Sequence, residues 1–485
     1  MSVPNSNSNP TPPLVASRGI LGAVGLIVLL NAVVKPAWIL MENYVQDRLG
    51  HGVYGEYAAI LSLAFMLSPL LDMGTAQLLT TRVAARPARA RWLTRHMYAL
   101  RWMLLGLYLP VILICGVLLD YSWAQMGLLL ALGLLHMGIS LLTLGRALIQ
   151  GQQRFGLDAW SSVADKLLLL PAVGMLAVFG LTLWNFMGAQ LVVTYGVALV
   201  LVVQGIRGGW RQYLRWPGRK WRVWLLAALP YALLALGYGL HERIGVVYLE
   251  RVVPAEEVGL FAAAFRWFSA AQMYLWTILP VFYARFAALG APEARRNLLS
   301  SALVVVSLPM GAIAALLCFQ GEVLRILFPH STPEQLARIA QHLQWQSVGL
   351  LFNALGTPFS TQLAAEGRTR ALNLLLWFAT GCNLVLNLWL IPQQGGMGTS
   401  QALMASFGLL MAGYIGVTAL HSSVTVPWGT LVRTMVVLAF FWGFMAYLST
   451  WTLWVVLPLA LVAFVLLVLV FGLQRHIFAL LNRNP

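Results

Sequence analysis

The sequence predicts an all-α polytopic membrane protein with fourteen transmembrane helices, two six-helix bundles followed by two extra C-terminal helices. Three observations carry that expectation: a composition too apolar for a water-facing surface, basic residues that alternate along the chain, and a repeat between its two halves. Of 485 residues, 60% are hydrophobic and only 9% charged, with a mean hydropathy of +0.78. A soluble domain carries about 25% charged residues, so this chain needs lipid to cover it.

Apolar runs close to the ~20 residues that cross a hydrocarbon core fall at about 18–41, 55–80, 98–119, 122–145, 163–182, 184–206, 222–249, 258–282, 299–319, 345–365, 371–391, 397–420, 430–449 and 452–473. The seventh is longer than a bilayer requires, which leaves room for a kink or a protruding end. Charge tests the count, because cytoplasmic loops are enriched in Lys and Arg. The loop after the second run holds Arg82, Arg86, Arg89, Arg91, Arg95 and Arg101. After the fourth come Arg146, Arg154 and Lys166, and after the sixth Arg207, Arg211, Arg215, Arg219, Lys220 and Arg222. Arg18, Arg285, Arg295, Arg296, Arg368, Arg370, Arg433, Arg475 and Arg483 continue the alternation. The opposite loops hold Arg48, Arg243, Arg251, Arg325 and Arg338, while Lys35 and Arg266 lie inside apolar runs. A wrong count would scramble this pattern, so both termini are expected in the cytoplasm.

The net charge of +16 then reflects topology, and no nucleic-acid partner is expected. "WRQYLRWPGRKWR" interleaves aromatics with cations, as a single-strand groove does. Between two spans it reads as an interfacial anchor with snorkelling cations. Residues 1–17, "MSVPNSNSNPTPPLVAS", are polar and proline-rich and are expected to form a disordered cytoplasmic tail; neither a basic n-region nor a small-residue cleavage site is evident in them. The remaining organisation is a first bundle over 18–206, a basic cytoplasmic linker over 207–221 and a second bundle over 222–420. Residues 421–485 supply helices thirteen and fourteen and a cytoplasmic C-terminus. Cys115, Cys318 and Cys382 show no paired spacing and read as small core residues.

The halves share short matches at a common offset. "GEYAA" at Gly55 and "GLFAA" at Gly259 open the second and eighth runs; "LTLW" at Leu181 and "LNLW" at Leu386 end the fifth and eleventh. Each of the latter precedes a Met-Gly pair and a glutamine: Met187, Gly188 and Gln190, then Met397, Gly398 and Gln401. Six helices per unit is an even number, so the copies share an orientation, related by a pseudo-two-fold axis along the membrane normal. Parallel repeats of this kind are a transporter design in which two bundles rock about a central site.

Ionisable groups inside spans are costly and mark candidate sites. Lys35 lies about two-thirds along the first run, before Pro36, which favours a kink. Arg243 follows Glu242 in the outer part of the seventh run, and Arg266 lies in the eighth. Lys35 and Arg243 are expected at similar heights, with Arg266 close in depth, so the three could line a cationic cavity that binds a diphosphate. The plainer readings are snorkelling for Lys35, an interfacial place for Arg243 and a Glu242 partner for Arg266. His136, deep in the fourth run, is a candidate proton-linked group or a hydrogen-bonded helix contact. Glu242 is the other candidate for ion or proton coupling. Asp72 in "LSPLLDMG" reads as a cytoplasmic hinge or an ion pair with an Arg. Glu42 and Asp47 are placed at the outer interface. Asn383 and Asn387, one helical turn apart, suit an interhelical hydrogen bond or a cavity wall. Pro392, Gly395, Gly396 and Gly398 are read as the external turn joining helices eleven and twelve.

No G-x-x-x-x-G-K-[ST] stretch, H-E-x-x-H or cysteine pair is present, so no ATPase, metal or cofactor is expected. In the longest external loop, about 320–344, Glu322, His330, Glu334 and His342 fall at no recognised spacing. "TPEQLARIAQHLQ" within it reads as a capped amphipathic interfacial helix.

Three segments carry a family resemblance. "GVYGEYAAILSLAFMLSPLLDMGTAQLLTTRVA" resembles the second helix of Wzx-like polysaccharide flippases of the multidrug/oligosaccharidyl-lipid/polysaccharide (MOP) superfamily. "EEVGLFAAAFR" resembles the start of their eighth helix, and "NLVLNLWLIPQQGGMGTSQALMAS" their eleventh-to-twelfth hairpin. The resemblance spans most of the chain. It implies two bundles around a cationic cavity, in the bacterial cytoplasmic (inner) membrane. It also implies alternating-access transfer of an undecaprenyl-diphosphate-linked oligosaccharide from the cytoplasmic to the periplasmic leaflet. The implied partners are that polyprenyl-diphosphate-linked oligosaccharide, membrane lipids and other glycan-assembly proteins around a monomeric transporter. Relatives carry Arg-x-Asp in the seventh helix where this chain has Arg243-Ile244-Gly245. Cations in the first and eighth helices, Lys35 and Arg266, resemble the cavity of lipid II flippases in the same superfamily. Alternatives are a drug or ion antiporter of the MATE branch, for which an acidic cavity would argue, a membrane glycosyltransferase or ligase, and a non-transporting scaffold.

Overall fold

The computed structural model describes residues 17–85, 89–205, 221–319 and 321–481, all helices and short connections, with no strand among them. The expected tail and all but the end of the linker over 207–221 lie outside the described residues. The first lobe contains α1 (Ser17–Leu49), α2 (His51–Leu67), α3 (Pro69–Asp72), α4 (Thr75–Ala85), α5 (Ala90–Leu118), α6 (Trp123–Gly151), α7 (Phe155–Ser161), α8 (Ala164–Phe179) and α9 (Leu183–Gly205). The second contains α10 (Trp221–Val252), α11 (Ala255–Ala288), α12 (Pro292–Phe319), α13 (Gly321–Leu327), α14 (Pro333–Ala365), α15 (Thr369–Gln394) and α16 (Gly396–His421). Three more, α17 (Trp428–Tyr447), α18 (Leu453–Val470) and α19 (Gln474–Leu481), complete the chain. α17 and α19 pack on α12, so the C-terminal helices belong to the second lobe's flank.

Ten helical segments among the described residues are long and apolar enough to cross a membrane. The expected first, seventh, eighth and tenth spans fall in α1, α10, α11 and α14, which are 33, 32, 34 and 33 residues long. Three of these four carry the intramembrane charges Lys35, Glu242, Arg243 and Arg266. Polar residues interrupt the apolar runs where helices face one another, because a lipid-facing helix cannot carry them.

Each lobe has its own core. Tyr57, Tyr108, Leu129, Leu144 and Phe186 belong to the first; Phe265, Phe268, Leu303, Phe359 and Phe407 belong to the second. The cores exchange one residue each: Ala59 enters the second and Val247 the first. The antiparallel helices give the molecule two distinct ends. One carries Leu49, His51, Val252 and Ala255; the other carries Arg82, Arg95, Arg154, Arg285, Arg295 and Arg368.

Three expectations need correction. "TPEQLARIAQHLQ" is not a separate interfacial helix. A capping box of Thr332 and Gln335 starts α14 there, no breaker follows, and Ile339, His342 and Leu343 are buried along its length. The turn between helices eleven and twelve is shorter than expected. α15 runs through Pro392 to Gln394, and Gly395 alone turns the chain at φ +58°. Gly398 belongs to the first turn of α16, where a Cβ would stand 2.6 Å from the Leu390 carbonyl carbon. The second run, expected over 55–80, is not one helix: α2 ends at Leu67, and left-handed Met73 and Gly74 (φ 46° and 75°) separate α3 from α4 at the end of the membrane-length segment His51–Asp72.

Asp72 and Arg101 fix that break. Arg101, fully buried in α5, pairs with the Asp72 carboxylate and donates to Leu71 O at 2.9 Å, Thr75 Oγ1 at 2.7 Å and Ser140 Oγ. Asp72 Oδ1 also accepts the Ala76 N–H at 3.1 Å, capping α4. Buried helix ends need such partners, because no water satisfies them. Arg101 is fully buried while the Asp72 side chain is 38% exposed, so losing Arg101 costs the hydrogen bonds it makes, about 1–3 kcal/mol, and less for the solvent-screened charge pair. Arg101→Leu should therefore lower the thermal midpoint of the detergent-solubilised protein by a few degrees; an unchanged melting curve would show that the break holds without this network.

Candidate functional site: an arginine seam between the lobes

The lobes meet along α1, α2 and α3 on one side and α10, α11 and α13 on the other. Their tightest approach is the crossing of α2 and α11. A Cβ on Gly55 would lie 1.8 Å from Ala255 O, and one on Gly259 would lie 2.0 Å from His51 O. The two contacts are reciprocal. Residues 51 and 255, like 55 and 259, are related by the offset of the sequence repeat, so the internal two-fold axis passes through this crossing.

Polar contacts across the lobes surround it at the His51 end. Asp47, buried on α1, accepts the His330 backbone N–H at 3.2 Å and bonds its Nδ1. His51 Nε2 meets Ser331 Oγ at 2.8 Å. Gln46 Nε2 donates to Gly259 O at 2.8 Å. Tyr121 donates to Glu250 at 2.8 Å, with the Arg251 guanidinium 4.6 Å from its ring. Toward the arginine-rich end, among the described residues, the main contacts between the lobes are Gly239, whose Cβ would meet Met66 O at 3.0 Å, and α3 against α10. Beyond it α4 packs on α5 and α6 of its own lobe, and α11 on α12 and α14 of the other. The seam is sealed at one end and parts toward the other.

Two of the three expected cations lie in this seam. Arg266 extends from α11 to α1, donating to Asn43 Oδ1 and, at 2.6 Å, to Gln46 Oε1, with Tyr54 beneath it at 4.8 Å. Arg243 sits between a ring from each lobe, 4.8 Å from Phe65 and 4.5 Å from Phe265, and donates to Ser62 Oγ at 3.4 Å. Both arginines fall within electrostatic reach of Tyr54. Along their helix axes they stand roughly 14 Å from Val252 and roughly 16 Å from Ala255.

Lys35 does not join them. It stands roughly 21 Å along α1 from Leu49, half-buried, and its charged neighbours are Lys166 and Arg146 of its own lobe. Arg146 pairs with Asp158 and Lys166 with Asp165. The expected common height fails because α1 continues past the expected run at its C-terminal end, to Leu49, which leaves Lys35 deeper along the helix, and because α1 packs on α7 and α8 of its own lobe. Pro36 lies inside α1 without ending it.

Glu242 lies beside Arg243 and Gln272. His136 donates from Nδ1 to Leu132 O at 3.0 Å and stands edge-on to Phe65, 6.0 Å away; it touches the far side of the ring system that holds Arg243. Glu42 and Asp47 are buried in the seam, Asp47 two residues from the end of α1. Asn383 donates to His241 O at 3.1 Å and Ser406 Oγ at 2.9 Å, and Asn387 donates to Asn383 O at 2.8 Å. That polar cluster ties α10, α15 and α16 together inside the second lobe. Sequence reasoning missed Asn43, Gln46, His51 and His241, and named His330 only as a loop residue at no recognised spacing. One signal was present: Asn43, Gln46 and Asp47 follow i, i+3, i+4 spacing on one face of an otherwise apolar helix. Among the described residues no group of His, Cys, Asp and Glu is arranged to hold a metal.

A family model described as "Polysaccharide biosynthesis protein" matches residues 20–289, more than half of the chain. No curated protein matches. Among solved structures the chain is similar to the lipid II flippase MurJ in an inward closed conformation, with a TM-score of 0.73 at 11% identity, covering 94% of this chain and 99% of that one. It is also similar to an inward-facing multidrug resistance MATE family transporter of the MOP superfamily (TM-score 0.63, 16% identity, 81% and 98% covered). A third is a MOP superfamily transporter from Pyrococcus furiosus described as having a binding pocket of reversed polarity (0.54, 18%, 82% and 96%). At these identities the likeness establishes the fold.

A side chain at position 55 must push α2 and α11 apart, because the obstacle is backbone. Cysteines replacing Asp47 and His330 should cross-link with a short bifunctional reagent in an otherwise cysteine-free protein. Adding Gly55→Val should reduce that cross-link several-fold; undiminished cross-linking would show that the crossing does not hold the seam closed.

Proposed function

Because the chain belongs to the polysaccharide biosynthesis protein family and has the MOP transporter fold, we propose that it is a flippase for an undecaprenyl-diphosphate-linked oligosaccharide. It moves this substrate from the cytoplasmic to the periplasmic leaflet of a bacterial inner membrane by alternating access. The observation that carries the reading is Arg266, a guanidinium at the junction of the lobes held by neutral amide oxygens and an aromatic face. Such a cation is available to an anion that enters between the lobes, and Arg makes paired, charge-assisted hydrogen bonds to phosphate oxygens.

The positive-inside distribution puts the arginine-rich end in the cytoplasm, so the seam opens toward the side where the substrate is made. The sugar and diphosphate enter between the lobes while the polyprenyl chain stays in lipid. Arg266 and Arg243 offset the diphosphate's charge, whose transfer through hydrocarbon is otherwise prohibitive. Lys35 stands apart in the first lobe beside Arg146 and Lys166, which pair with Asp158 and Asp165, and adds one positive charge nearer the cytoplasm that attracts the anion toward the opening. Closing the cytoplasmic side and breaking the His51-end contacts then exposes the substrate to the periplasm.

This reading makes the protein a transporter that performs no covalent chemistry. The arginines disfavour export of cationic drugs, the reading a MATE-like fold alone would permit. A glycosyltransferase needs a catalytic acid or base at an accessible cavity mouth, whereas Glu42, Asp47 and Glu242 are engaged inside the seam.

Arg266→Ala should abolish rescue of a glycan-export-deficient strain while the protein accumulates in the membrane and keeps a cooperative melting transition. Arg266→Lys, which keeps the charge but loses paired geometry, should retain a reduced fraction. Full rescue by Arg266→Ala would remove Arg266 from substrate handling.

A further inference from the structure

Arg266 crosses the seam to two amides, and those amides have a second connection. Gln46 accepts from Arg266 through Oε1, while its Nε2 donates to Gly259 O at 2.8 Å and meets His51 Nδ1 at 3.0 Å. The same side chain therefore ties the arginine to the backbone of the glycine crossing. Asn43 accepts from Arg266 through Oδ1, while its Nδ2 is buried without a partner. Both amides are almost completely enclosed, at 1% and 0% exposure. The acid one residue earlier, Glu42, is kept occupied: Tyr54 donates its hydroxyl to Glu42 Oε2 at 2.5 Å and places its ring under the guanidinium. Among the described residues no ion pair joins Arg266 to a carboxylate.

A buried arginine paired to a carboxylate would be held permanently. One held by neutral amides is held by weaker bonds, which an incoming oxyanion can replace with stronger, charge-assisted ones. From this geometry we infer that Asn43 and Gln46 are coupling residues: anion capture by Arg266 displaces their oxygens and releases the sealed end of the seam. The inference rests on the reading of the substrate as a diphosphate. When phosphate oxygens take the guanidinium, Gln46 loses the partner that aims it at Gly259 O. The crossing then keeps its close fit but loses its polar brace. A ligand shifts a conformational equilibrium only through different affinities for the two states. Here the difference arises because the closed state makes the anion compete with two amides and the open state does not.

The coupling is open to test on the full-length protein in lipid nanodiscs, with Cys115, Cys318 and Cys382 replaced by alanine. Spin labels at Trp123 and Gln394, on the His51 end of each lobe, report the separation by pulsed electron resonance. Inorganic diphosphate is the probe, and equilibrium dialysis measures its binding in parallel. In the wild type the separation should lengthen as diphosphate is added. Asn43→Asp should stay short at every concentration and bind diphosphate at least tenfold more weakly, because a carboxylate now holds Arg266. Gln46→Glu should behave alike, which guards against a folding defect in either variant. Asn43→Gln, which keeps an amide, should retain the response. Diphosphate binding without opening in the wild type, or opening of both acidic variants as in the wild type, overturns the coupling and leaves the diphosphate reading intact. Failure of the wild type to bind diphosphate overturns both.

Discussion

The closest helix approach between the lobes depends on the absence of two side chains. At Gly55 and Gly259 the backbones of α2 and α11 occupy the space a Cβ would need. The rest of the seam is arranged around that crossing. It brings α1 within reach of Arg266, sets Phe65 opposite Phe265 with Arg243 between them, and places His330 and Ser331 over Asp47 and His51. Small residues are the usual means of close approach in membranes, where lipid supplies no hydrophobic force to press helices together. A crossing of this kind holds by fit, and parting it uncovers few core side chains, Ala59 and Val247 among them.

Polar groups packed between the helices fall into two kinds with different consequences. The Arg101–Asp72 network is an ion pair with its hydrogen bonds nearly complete; it fixes the break in the second span and has no reason to move. Arg266 is held by amides instead. Removing a charge from water costs several kcal/mol, and amide oxygens with a ring face offset this less completely than a carboxylate. Arg243, stacked between aromatic rings, is in a similar position, with Glu242 beside it. The structure thus keeps positive charge incompletely compensated at the junction between the lobes, which is where the proposed anionic substrate would bind.

Much of the architecture was legible in the sequence. Apolar runs and alternating arginines depend on local composition, and the repeat offset identified Gly55 and Gly259 as counterparts before their contact was visible. The site was legible only in part. Arg243 and Arg266 stood out because charge inside an apolar run is costly wherever it points. Lys35 stood out for the same reason but lies elsewhere, since the length of α1 beyond the span cannot be read from hydropathy. Asn43 and Gln46 were passed over because an amide carries no such cost until its partner is known, and that partner lies more than two hundred residues away.

The account comes down to one requirement: substrate charge moves through the seam because the arginines receive it. The direct measurement is leaflet transfer in proteoliposomes of two short-chain polyprenyl lipids carrying the same fluorescent sugar. One is linked through a diphosphate and the other through a neutral linker. The account predicts protein-dependent transfer of the diphosphate-linked lipid and little of the neutral one. Equal transfer of both would contradict it.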